Sequence, residues 1–162
     1  MGSKRLRTMV FLALIVMLGL PLSLEATTVL EQIAWGRCSE SESEALPKNL
    51  TLIQVVNDKE ISKAAGFDIL LEAAYLSRFD VTGGGVVVKG KVIKEDGGST
   101  PLPKMIGKMV FGNADDAASS DVSLERGDII EWKIKFKNLP RLAESQECFA
   151  LELLISGSEI DR

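Results

Sequence analysis

The chain has 162 residues, two cysteines and no histidine, with 19 Lys and Arg against 23 Asp and Glu and a net charge of −4. Without histidine there is no usual general base for a Ser or Cys hydrolase, no commonest metal ligand and no Cys/His zinc site. An acidic chain with no basic run beyond its first residues has no electrostatic means of holding nucleic acid or an anionic membrane surface, and neither is an expected partner.

Lys4, Arg5 and Arg7 precede the apolar run Met9–Leu20 (MVFLALIVMLGL), which is followed by Pro21 and the small residue Ala26. A basic segment, an apolar segment of about a dozen residues and a small residue before a polar sequence is the order of an export signal. Residues 1–26 are therefore expected to be a signal peptide, and the protein to be secreted or extracytoplasmic. The uncharged stretch Met9–Leu24 falls short of the roughly 20 residues that span a bilayer. Leu24 stands where a small residue is usual, so the alternative is a membrane anchor formed by residues 9–24, the one route by which the chain would meet a membrane. Removing residues 1–26 takes away three cations and one anion, moving the net charge from −4 to −6.

Residues 27–162 fall in the single-domain range and can bury most of the surface of their unfolded chain. Cys38 and Cys148 lie near the two ends of this segment. In an oxidising compartment an even cysteine count reads as one disulfide, worth on the order of 4–5 kcal/mol at most for so long a loop.

Residues 27–48 read as a leader and an acidic loop. Thr27–Gly36 is an apolar leader containing Val29, Leu30, Ile33 and Trp35, while Ser39–Glu44 (SESESE) is a solvated run ended by Pro47. Exposed apolar surface costs about 25 cal/mol per Å², so the leader is expected to find a partner. One partner is an open sheet edge of another copy, giving self-association through residues 27–36. The competing expectation is that the leader is the first strand of its own domain. Asn49-Leu50-Thr51 is an N-x-T sequon, which makes Asn49 a candidate glycosylation site.

From residue 49 to 162 the pattern predicts a β-sandwich domain. Thr51–Val56 is rich in β-branched residues and ends at the turn pair Asn57-Asp58. Residues 66–79 fit a strand with Ile69, Leu71, Ala73 and Tyr75 on one face. Their Leu, Ala and Glu also permit a helix near 60–78, which would make the fold α+β. Gly83-Gly84-Gly85 is expected to be a flexible break, Val86–Lys94 a strand, Asp96-Gly97-Gly98 a hairpin turn, Met105–Phe111 a strand and Asn113–Asp121 a polar loop. In residues 130–136, Ile130, Trp132, Ile134 and Phe136 alternate with Glu131, Lys133 and Lys135, the mark of a strand with one wet face. Phe149, Leu151, Leu153 and Ile155 alternate in the same way. The expected fold is all-β, a two-sheet antiparallel sandwich of immunoglobulin-like character.

No P-loop or dinucleotide fingerprint is present. Asn113, Asp115, Asp116 and Asp121 offer hard oxygen ligands, but their spacing matches no EF-hand, and a solvated loop explains them. No metal, cofactor or catalytic residue is expected, and the chain is not expected to be an enzyme. Arg126-Gly127-Asp128 spells an adhesion tripeptide, although turn chemistry before a strand accounts for it equally. Trp132 is expected in the core, while Trp35 is free to be an exposed contact. Three functions compete. The first is a secreted, non-catalytic module for protein interaction or assembly. The second is a soluble carrier of a small apolar ligand or lipid between its sheets, and the third, which no residue supports, is a small hydrolase or inhibitor.

Overall fold

The computed structural model describes residues 28–57, 66–143 and 146–157, so the expected signal, residues 1–26, lies outside the described residues. Among the described residues there are strands and no helix, and hence no helix long and apolar enough to cross a membrane. The strands are β1 (Thr28–Cys38), β2 (Asn49–Val55), β3 (Phe67–Leu76), β4 (Gly85–Ile93), β5 (Ser99–Pro101), β6 (Met105–Lys108), β7 (Asn113–Ser120), β8 (Ile129–Lys137) and β9 (Cys148–Gly157). One sheet has the order β1-β9-β3-β7. The other has the order β2-β8-β4-β5, with β6 pairing the half of β4 that β5 leaves open.

The expected two-sheet antiparallel sandwich is what forms. From β1 to β4 the chain changes sheet at every strand, so β1 pairs β9, β2 pairs β8 and β3 lies between β9 and β7. That order is a jelly roll's. The immunoglobulin-like character extends to the two packed sheets but not to the order of strands within them.

The core follows the alternation. Ile130, Trp132, Ile134 and Phe136 are buried from one side, and Ile69, Leu71, Phe149, Leu151, Leu153 and Ile155 from the other. Trp132 has no exposed surface, and its Nε1 donates to Gln54 Oε1 at 2.8 Å. The ring occupies the space above Gly90, where an added Cβ would stand 2.5 Å from Trp132 Cζ3. A second aromatic group spans the sheets: Phe149 lies 5.4 Å from Phe136, 6.3 Å from Trp35 and 6.4 Å from Tyr75 between ring centroids.

Residues 67–76 form a strand, not the alternative helix, with Ile69, Leu71, Ala73 and Tyr75 all buried. Strands on both sides supply ladder partners, and that pairing overrides the local helix propensity. Residues 58–65 lie outside the described residues.

One segment settles an open expectation and two differ from expectation. The leader is not a detached segment: the competing expectation holds, since it forms β1 of its own domain, paired with β9, and the sandwich begins before residue 49. Asn113–Ser120 is strand β7 rather than a polar loop; its partner β3 supplies the hydrogen bonds, and small Ala114 and Ala118 suit the inner face. The triple glycine is a close crossing rather than a flexible break, since a Cβ on Gly85 would lie 2.2 Å from the Gly107 carbonyl oxygen. The Cys38–Cys148 disulfide joins directly paired residues of β1 and β9 across a sequence separation of 110. It fastens the edge strand to its neighbour.

Candidate functional site

The site is built from loops at one end of the sandwich. β6 is shorter than the expected Met105–Phe111 strand because the chain turns back at residues 110–113. The Val110 amide donates to the Asn113 carbonyl at 2.8 Å, and the Asn113 amide donates to the Val110 carbonyl at 3.0 Å. The two central residues both have positive φ, 47° for Phe111 and 78° for Gly112. This is a type I′ hairpin turn, whose favoured first central residues are Asn, Asp and Gly. A bulky aromatic residue at positive φ is an outlier for an L-residue.

Phe111 gains little packing from that position, since it is 70% exposed. The backbone around it is held firmly. The Gly112 amide donates to the Val81 carbonyl at 2.8 Å, the Tyr75 amide to the Gly112 carbonyl at 2.7 Å, and the Phe111 amide to Thr82 Oγ1 at 3.2 Å. On the adjacent β3–β4 loop, Phe79 is 68% exposed, and its amide is fixed by Ser77 Oγ at 3.1 Å. The Arg78 guanidinium lies 5.4 Å from the Phe79 ring centroid. Phe79 and Phe111 line one open depression of about 440 Å³, with Arg78, Asp80, Asn113 and Gln146 around them. Val110 and Leu76 extend the exposed apolar rim.

Glu147 fixes the floor. Its carboxylate is buried and accepts from the Ala143 amide at 2.8 Å, from Tyr75 Oη at 3.1 Å and from Ser77 Oγ. Burial opposes its charge, yet the hydrogen bonds from Ser77, Ala143 and Tyr75 and the nearby Arg78 hold the carboxyl below its usual range. The same burial, with Glu147 alongside, pushes Tyr75 up to about 12. The Glu147 carbonyl also receives the Ser39 amide at 3.0 Å, which couples the floor to the end of β1. The two phenylalanines thus project from a braced platform.

The expected site residues are dispersed. Cys38 and Cys148 are bonded to each other. Asn49 is exposed at the first position of β2. Val29 and Leu30 lie on β1, and Ile33 and Trp35 are partly buried against the domain's own core, with Trp35 5.5 Å from Phe136. Trp35 is therefore a core neighbour rather than an exposed contact. Asp115 and Asp116 fall at successive positions of β7 and so face opposite sides; Asp116 Oδ2 accepts the Ile106 amide at 2.6 Å and closes the gap between the sheets. Asp128 of the Arg-Gly-Asp tripeptide is 3% exposed and receives Lys94 Nζ at 2.6 Å and the Glu125 amide at 2.8 Å. It is thus committed to the fold.

Sequence reasoning passed over Phe79, Val110 and Phe111. The available signal was Phe111-Gly112 between two strand-like runs, a hairpin turn with the wrong residue in its first position.

No protein-family model matches the chain, and no curated protein matches it. Among solved structures it is similar to the Yersinia pseudotuberculosis-derived mitogen, at 12% identity over 83% of this chain and 91% of that one, with a TM-score of 0.35. It is also similar to murine APRIL, at 16% identity over 78% and 94% of the two chains, TM-score 0.32. A third is the globular domain of the zebrafish complement 1qA protein, at 13% identity over 82% and 99%, TM-score 0.33. Likeness at this level carries no argument, and fold and function are argued from the chain's own residues.

Proposed function

We propose that the chain is a secreted, non-catalytic interaction module that contacts a partner protein through the loop end bearing Phe79 and Phe111. The observation that supports this most is the placement of Phe111. A bulky side chain is kept at positive φ, 70% exposed, beside a second exposed phenylalanine on a braced floor. Backbone strain of this kind collects at functional sites, and exposed aromatic clusters mark contact surfaces. Aromatic side chains are also the residues that anchor protein interfaces.

A non-catalytic role fits the absence of histidine and the engagement of Glu147, the buried carboxylate of the site, in internal hydrogen bonds. Export is supported by the disulfide, which persists in oxidising compartments. Self-association through residues 27–36 has narrowed to one route, strand addition beside β1, which among the described residues pairs with β9 alone. The carrier reading finds Trp132, Phe136 and Phe149 where an apolar ligand would sit.

Photo-crosslinking in the producing cells tests the proposal. A photoreactive phenylalanine analogue at position 111 or 79 should give discrete protein adducts, and the same analogue at Glu95, in the turn at the opposite end, should not. Equal labelling from all three positions would remove the loop end as the contact site.

A further inference from the structure

The charges of this acidic chain are segregated between the outer faces of its two sheets. On the four-stranded sheet, Glu72 of β3 is directly paired with Glu152 of β9 on one side and Asp115 of β7 on the other. Asp68 lies on the same face. Arg37 is the one cation among these four strands; it stands at the end of β1 with Trp35's parity and pairs with Glu44. Like charges directly opposite one another across strands are unfavourable. Burial and Asp115 raise the Glu72 carboxyl, and burial and Glu72 raise that of Glu152. The flanking rows place Leu70 beside Leu154 and Ala74 beside Ala150.

The five-stranded sheet is the converse. Its outer face holds Lys89 and Lys91 of β4, Lys108 of β6, and Lys133, Lys135 and Lys137 of β8, with Lys89 directly opposite Lys133. Glu131 is the one anion on these strands, and Lys91 and Lys133 already share it at 3.3 and 3.4 Å. Each face carries a like-charged row, and the two rows are opposite in sign. Lysine stems can lie along small and apolar residues while their ammonium groups reach carboxylates.

We propose that these two faces are complementary, and that a second copy of the chain docks its lysine face on the acidic face of the first. The two surfaces are different and lie on opposite sides of the sandwich. The contact is therefore heterologous and propagates head to tail instead of closing as a two-fold dimer. This goes beyond the loop-end reading and uses none of its residues, so the rims of successive copies remain free for their own partner.

Sedimentation velocity of the purified protein at about 0.02 M and about 0.5 M salt tests the contact, since exposed charges are screened at the higher value. Species larger than the monomer are expected at low salt and monomer at high salt. Glu72→Lys/Glu152→Lys and Lys89→Glu/Lys133→Glu should each be monomeric at low salt, because each gives the central pair of one face the sign of the central pair it must meet. An equimolar mixture of the two should associate again, because the unaltered lysine face of the first variant meets the unaltered acidic face of the second. A monomeric wild type at low salt, salt-insensitive association, or a mixture that stays monomeric overturns the proposal. The wild-type salt dependence decides the matter even if one charge-reversed variant fails to fold. Phe79→Ser/Phe111→Asn should associate as the wild type does, which separates this contact from the loop-end site.

Discussion

Replacing Phe111 by asparagine should make the domain more stable. At φ 47° a non-glycine L-residue bears roughly 1–2 kcal/mol of backbone strain, and asparagine is among the few residues that tolerate this region. The opposing loss is small. Full burial of a phenylalanine is worth about 1.5–3 kcal/mol, and a ring that is 70% exposed realises only about a third of it, roughly 0.5–1 kcal/mol. The net gain is about 0.5–1 kcal/mol, or a rise of a few degrees in Tm for a domain of this size. Phe111→Ala loses the same burial without relieving the strain, so it should be less stable than wild type by about 0.5–1 kcal/mol. Urea midpoints of the three proteins provide the assay. If asparagine is no better than alanine, the backbone at residue 111 is not strained, and the main support for a functional loop end is gone.

Trp132→Ala should cost about 3–5 kcal/mol, against less than about 0.5 for Lys137→Gln on the outer face, as read from denaturant midpoints. Glu147→Gln should cost about 1–3 kcal/mol at neutral pH, because a buried, multiply hydrogen-bonded acceptor is weakened. The folded Glu147 carboxyl sits below its unfolded value, so its contribution is present above the unfolded pKa and is lost as pH falls through the folded one. The acid limb of the variant's stability curve should be correspondingly flatter. Glu72 has the opposite sign: its folded carboxyl is raised, so wild-type stability declines as pH rises from the unfolded value through the folded one. Glu72→Gln should therefore gain about 0.2–1 kcal/mol at pH 7, measured in dilute protein, and the gain should vanish in acid. Reducing the Cys38–Cys148 bridge should cost about 2–5 kcal/mol, with β1 amides losing hydrogen-exchange protection first.

Alternation made the sandwich legible. In β8 and β9 every second residue is apolar, and one face buried against one face wet is the only arrangement that satisfies both sets. Strand order was not legible, because which strands pair is settled by contacts remote in sequence. The turn-like and strand-like signals of β1, β3 and β9 are compatible with several topologies. β7 was missed because Asn113–Ser120 is polar and small, and its strand state is imposed by β3 rather than by its own composition.

The candidate site was harder to read. Phe79 and Phe111 are 32 positions apart and meet only because the β3–β4 loop and the β6–β7 turn share one end. Net charge was likewise a poor guide. No basic run exists in residues 27–162, but lysines at positions 133, 135 and 137 share one side of a strand by parity, and Lys89 joins them through register. A face can be basic while the chain is acidic.

The most direct test of the loop-end reading is competition. Labelled purified protein is bound to the surface of producing cells, and unlabelled protein is added in increasing amounts. Wild type should displace the label, and Phe79→Ser/Phe111→Asn should compete at least about tenfold more weakly, as expected on losing two interface anchors, although its fold is intact. Equal competition by the double variant would contradict the account.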